Sequence, residues 1–262
     1  MPDKRFVEAY DKIDLDPERA DHIWSRIEQE LLPGKENEQT MKARKTLRVA
    51  LIAAVISVLL VTSAYAVSGA VRGIGTHWMR DTGTYDTLDA IPRVEKITGY
   101  PVTAPEAFRN GYRFKTLNIG GEAAYGDDYE ILEEYYGVMI TYERDGKCDL
   151  TLNLSPVLDL LTEGENREAS ETKEIGGAEV RFNRDHFKFV PEDYVKSESD
   201  LAAEKDGHYY ISFGSESIEE HDYTFAGFTL GDVEYLLFDQ SGRDADFLYD
   251  MAGEVIAEFQ EA

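Results

Sequence analysis

The chain has 262 residues and a formal net charge of −25, with 27 Lys and Arg against 52 Asp and Glu. That balance argues against binding nucleic acid or anionic lipid through the acidic part, because like charge repels phosphate. A single cysteine, Cys148, excludes an internal disulfide, so any domain must be held by an ordinary core.

The charge is unevenly placed. Residues 1–67 hold 10 Lys and Arg and 11 Asp and Glu, so nearly all the acidity lies in residues 68–262. That part is long enough for one domain or two small ones. An acidic, solvated surface is the plain reading of it. Binding of cations or of a basic cell-wall component is the sharper one. No stretch has the ligand spacing of an EF-hand loop.

Residues 1–46 form an arm with helical patterning. Phe6, Val7, Tyr10 and Ile13 mark a short helical segment over residues 4–12. Asp16-Pro17-Glu18 then starts a second helix. Asp16 can cap it, Pro17 suits its first position, and Glu18 complements the positive end. Ala20, Ile23, Trp24, Ile27 and Leu31 recur at three- and four-residue steps, which predicts an amphipathic helix over residues 17–32 ended by Pro33-Gly34. Two helices this short bury too little to be very stable alone. Ile23, Trp24, Ile27 and Leu31 are therefore the candidate partner-binding residues, with Trp24 the anchor type that docks in grooves. Self-packing or resting on the membrane surface is the alternative use of that face. Residues 34–40 read as a polar linker.

Residues 47–67 are the most apolar stretch of the chain. From Val49 to Val67 there is no charge, and Ser57, Thr62 and Ser63 are the only clearly polar side chains. A bilayer core needs roughly 20 apolar helical residues. Lys42, Arg44, Lys45 and Arg48 crowd the N-terminal side, which places the N-terminus in the cytoplasm by the positive-inside bias. The expectation is a retained transmembrane helix in the cell membrane with the remainder extracytoplasmic. A secretory leader cleaved after Ala64-Tyr65-Ala66 is the rival reading. The long patterned arm before the run argues against it.

This layout resembles the membrane-bound anti-sigma factors of Gram-positive bacteria. The features that carry the resemblance are the small helical arm, the basic cluster Met41-Lys42-Ala43-Arg44-Lys45, the single span ending in Ala-Tyr-Ala, and the outside part. The resemblance implies an arm that restrains a sigma factor until the outside domain perceives stress. Many such arms carry zinc on a histidine and two cysteines. This arm has His22 and no cysteine, so a zinc site is left out.

Residues 68–99 read as a tether and juxtamembrane helix. Gly69, Gly73, Gly75 and Gly83 suggest a flexible exit, and Trp78 is expected at the interface. Leu88, Ile91, Val94 and Ile97 predict a helix over residues 86–98, interrupted at Pro92 and ended by Gly99. Residues 100–262 read mostly as strand. Tyr112 and Phe114 face one way and Leu117 and Ile119 the other, which implies a bulge between. Alternation at Val138, Ile140 and Tyr142, a turn at Asp145-Gly146, and alternation at Leu150, Leu152 and Leu154 make the clearest hairpin. Gly176-Gly177 turns a second. Residues 208–213 and 223–229 are further strands, and Gly231-Asp232 turns into a nearly all-apolar central strand, residues 233–239. Asp244 can cap a closing helix whose stripe is Phe247, Leu248, Met251, Val255, Ile256 and Phe259. The expected class is α+β, a mostly antiparallel sheet with packed helices. Residues 158–172 are the candidate seam between subdomains. Residues 208–215, 231–237 and 250–256, with an opening at residues 100–106 and Gly111-Tyr112, resemble the extracytoplasmic domain of unknown function found in many anti-sigma-like proteins. That family supplies no catalytic residues.

Catalytic signals are weak. No Gly-x-Ser-x-Gly elbow, phosphate-binding glycine loop or His-Glu-x-x-His occurs in the sequence. Glu133-Glu134 could join another carboxylate for glycoside chemistry, and His221-Asp222 could supply two metal ligands; solvated strand edges are the plain readings. Cys148 is expected as a half-buried structural thiol. The sequence assigns no catalytic residue, metal or cofactor. It leads to a membrane regulator, with an anchored envelope-binding protein without a signalling role as the alternative.

Overall fold

The computed structural model describes residues 73–77, 79–126, 130–158 and 169–261. The predicted arm with Ile23, Trp24, Ile27 and Leu31, the predicted span and Trp78 lie outside them. Among the described residues no helix is long and apolar enough to cross a membrane.

The described residues fold as a mixed α/β unit around one ten-stranded, mostly antiparallel sheet. The strands are β1 (Gly73–Thr76), β2 (Gly83–Tyr85), β3 (Arg113–Tyr125), β4 (Ile131–Arg144), β5 (Lys147–Pro156), β6 (Glu171–Ile175), β7 (Ala178–Val190), β8 (Tyr209–Phe213), β9 (Glu219–Leu230) and β10 (Val233–Asp239). The helices are α1 (Ile91–Thr98), α2 (Glu198–Ala203) and α3 (Ala245–Glu261). The order across the sheet is β1-β3-β4-β5-β10-β9-β7-β6. Each rim is shared by two short strands. β1 and β2 take successive parts of the β3 edge. β6 and β8 divide the β7 edge, with β8 as the one parallel neighbour.

The turns follow from residues that tolerate positive φ. Asp145 and Gly146 sit at φ 55° and 75° and close β4 onto β5. Gly176 and Gly177 sit at 57° and 84° and close β6 onto β7. Both faces of β10 are covered, with Val233, Tyr235 and Leu237 in one buried cluster and Phe238 in another, which explains why its sequence is apolar at nearly every position. The pairing of β5 with β10 carries the sheet across the predicted seam, so both sides of residues 158–172 belong to one sheet.

One face of the sheet carries the main core. Leu117, Ile119, Val138, Ile140, Leu152, Leu237 and Phe228 point into it and meet α1, α3 and the segment bearing Val102 and Phe108. Asp244 Oδ1 accepts from the Phe247 amide at 3.1 Å and starts α3. Leu248, Met251, Ala252, Val255 and Ile256 then bury the predicted stripe. The other face buries a second, aromatic cluster of Phe187, Phe189, Tyr223, Phe225 and Phe238. Phe225 and Phe238 are register partners and stack at 5.0 Å.

Two local expectations are corrected. The glycine-rich stretch after the predicted span contains strands β1 and β2 rather than only a tether. The helix predicted from residue 86 is a short 3-10 turn, Leu88–Ala90, followed by α1, with Pro92 in the first helical turn. Proline fits there because the amide it lacks has no intrahelical partner. The bulge expected in β3 is present, between Phe114 and Thr116.

Candidate functional site

Polar side chains gather in three places in the described sheet. The first lies at the end of β10. Asp239 is fully buried. It accepts from the Arg243 amide at 2.7 Å, from the Ser241 amide at 3.1 Å and from the Arg243 guanidinium. Arg243 also reaches Asp149 at 3.2 Å and donates to the Tyr112 hydroxyl at 2.6 Å. Its guanidinium lies 4.2 Å from the Phe247 ring centre and 5.0 Å from that of Tyr112. Burial alone would pull the Arg243 proton off more easily, but the pairing with Asp239 outweighs it and holds the charge. Desolvation raises the Tyr112 hydroxyl to about 12, helped by its bond to Asp149. Every group here has a partner, so the arrangement locks β5, β10 and α3 together.

The second place lies over β7. Lys188 donates to Asp200 Oδ1 and to the Tyr194 hydroxyl, both at 2.8 Å. Asp200 also accepts from the Tyr194 hydroxyl at 2.6 Å, the Tyr209 hydroxyl at 3.1 Å and the Ser197 amide at 2.8 Å. Ser197 and Asp200 form a capping box on α2. The Lys188 ammonium holds the Asp200 carboxyl far below the usual range, and Asp200 raises Lys188 in return. This network clips α2 and β8 onto the sheet.

The third place is a set of histidine–carboxylate pairs on β7, on β9 and just before β8. His186 Nδ1 meets Asp222 at 2.7 Å, His208 Nδ1 meets the fully buried Asp185 at 2.9 Å, and His221 Nε2 meets Glu219 at 3.6 Å. His186 stacks on Tyr209 at 5.2 Å, while His221 stacks on Tyr223 at 6.0 Å. Consecutive strand residues point to opposite faces, so His221 and Asp222 do not converge on one ion. Among the described residues no group of three or more His, Cys, Asp or Glu is arranged to hold a metal.

The two glutamates singled out in sequence also diverge. Glu133 is opposite Ala124 and Glu134 opposite Ala123, on alternate faces of β4. Glu134 meets His77 Nε2 at 2.8 Å. Cys148 is exposed rather than half-buried, and its Sγ lies 3.7 Å from Glu143. Sequence reasoning missed Glu122. Its carboxylate leans over Gly137, where an added Cβ would require the carboxylate to shift. Burial pushes the Glu122 carboxyl up, and a hydrogen bond from Tyr135 opposes that shift. The Gly120–Gly137 cross-strand pair, visible only once the register is known, was the signal for this position.

Comparison with known proteins found no matching family model, no matching curated protein and no matching solved structure.

Proposed function

We propose that the chain is a single-pass membrane regulator of the anti-sigma type. The arm, residues 1–46, binds and restrains a sigma factor in the cytoplasm through Ile23, Trp24, Ile27 and Leu31. Residues 47–67 are the retained span. The acidic sheet domain stands outside the membrane and perceives an envelope signal. One observation carries the reading: an uncharged run with Lys42, Arg44, Lys45 and Arg48 before it divides an amphipathic arm from the acidic remainder.

The start of the sheet supports it. Only five residues separate Val67 from Gly73, where β1 begins pairing along β3. Such a connection reaches at most ~20 Å, so the sheet edge and the proposed span are tied closely along the chain.

The test is capture of the full chain from its source cell through a C-terminal tag. A sigma factor should co-purify in stoichiometric amount. It should be lost when Ile23, Trp24 and Ile27 are all changed to Asp, with membrane insertion unchanged. Retention by that variant would rule out the docking face. Recovery of no transcription factor by either chain would favour an anchored envelope protein instead.

A further inference from the structure

Residues 191–222 stand apart from the rest of the sheet domain. They leave β7 at Val190, form α2, return as β8 and turn into β9. This segment carries ten Asp and Glu against two Lys. It also holds four of the six large apolar side chains exposed among the described residues: Val195, Leu201, Phe213 and Ile218, at 84, 51, 47 and 53%.

The fold brings three of these together. Phe213 is in register with Val190, the last residue of β7. The Gly214 and Ser215 amides both donate to the Val190 carbonyl, so the chain reverses tightly there. Ile218 directly precedes Glu219, which is opposite Phe189 on the other side of β7. Phe213 and Ile218 therefore flank the end of β7 from its two sides. Lys196 Nζ lies 5.8 Å from the Phe213 ring centre, so the loop that carries the exposed Val195 passes near this end. Glu192, Asp193, Glu216, Glu219 and Glu220 are all exposed around this end.

Single exposed apolar residues are ordinary, but a cluster inside an acidic rim selects what can cover it. A second copy would bring the same excess of negative charge against itself. An anionic lipid or wall polymer would meet that repulsion too. The surface suits a partner that is both basic and apolar.

We propose that this end of the sheet docks a cationic amphipathic peptide, with apolar side chains on Val195, Phe213 and Ile218 and basic ones toward the surrounding carboxylates. The inference rests on the sensing role proposed above and names the chemical class of the signal. β8 pairs only with β7 among the described strands, so an extended peptide can approach along its other edge.

The test uses the full chain in nanodiscs of zwitterionic lipid and a labelled peptide of repeating Leu and Lys, followed by fluorescence anisotropy. Binding should weaken with added salt. Val195→Asp with Ile218→Asp should weaken it about tenfold or more, although both changes add negative charge. Glu219→Gln with Glu220→Gln should weaken it by a smaller factor. Ile131→Asp with Leu132→Asp, at the start of β4, should leave it unchanged. The proposal is overturned if no binding occurs, if polylysine binds equally well, or if the Val195 and Ile218 changes have no effect. Release of the arm's partner is scored separately. Peptide bound without release sinks the sensing role and leaves the docking site standing. Release by some other signal, with no peptide bound, does the reverse.

Discussion

Two polar networks in this domain use the same chemistry to different ends. At the end of β10, Asp239 holds Arg243 with help from Tyr112 and Asp149. Over β7, Asp200 holds Lys188 with help from Tyr194 and Tyr209. The first joins β5, β10 and α3, which lie at the centre of the main core. The second joins β7 to one short helix and one rim strand. An ion pair on a buried aspartate is therefore a lock in one place and a clip in the other, depending on how much of the sheet hangs from it. The clipped segment is also the one that carries the exposed apolar cluster.

The comparison breaks most visibly at Arg243. Arg243→Ala leaves Asp239 as a fully buried carboxylate without its main partner. Removing one member of a buried pair costs ~3–5 kcal/mol. Urea unfolding should show one cooperative transition moved to a lower midpoint. A loss under ~1 kcal/mol would mean that the network is peripheral to the core.

The clip should fail differently. Lys188→Met removes the charge from Asp200 and keeps the aliphatic stem. The expected outcome is faster amide exchange across residues 191–213 with β10 unchanged. The pH behaviour follows from the directions of the two shifts. Asp200 is depressed, so its contribution is present above the ordinary carboxylate range and is lost only as pH falls through its lower folded value. Lys188 is raised, so its contribution is present below the ordinary lysine value and is lost only as pH rises through its higher folded value. The ratio of wild-type to variant protection factors should therefore stay constant from mildly acid to mildly alkaline pH. A ratio that falls to one near neutrality would assign the clip to other groups.

The same contrast explains what could be read in advance. β10 and the β4–β5 hairpin were legible because period-two alternation and Asp145-Gly146 agree on one structure. The α3 stripe was legible because its burial has the helical period. β1 and β2 were not, since strands of four and three residues with glycines in them carry no period. α2 was not, since its only buried residue is the polar Asp200. The proposed docking cluster was also hidden. Val195, Phe213 and Ile218 are scattered in sequence, and the pairing of β7 with β8 on one side and β9 on the other is what brings Phe213 and Ile218 to one end of the sheet. The arm residues Ile23, Trp24, Ile27 and Leu31 rest on periodicity alone.

Glu122 sharpens the comparison from the other side, because it is a desolvated carboxylate with a hydroxyl partner where the two networks have a cation. Burial raises its pKa, and the Tyr135 bond offsets only part of that. The native state therefore holds this proton more tightly than the unfolded chain does. Stability at this site rises as pH falls through the raised value toward the ordinary carboxylate range, and the ionised form at neutral pH is a cost. Glu122→Gln keeps the shape over Gly137 and an oxygen for Tyr135 while removing the charge. It should raise the neutral-pH unfolding free energy by about 1 kcal/mol or less, the smallest of the three effects. The gain should shrink as pH is lowered, because the wild-type carboxyl becomes neutral as well. A variant that is less stable than wild type at neutral pH would mean that the charge at Glu122 holds the β3–β4 edge together. That edge would then be a third ionic junction rather than a tolerated burial.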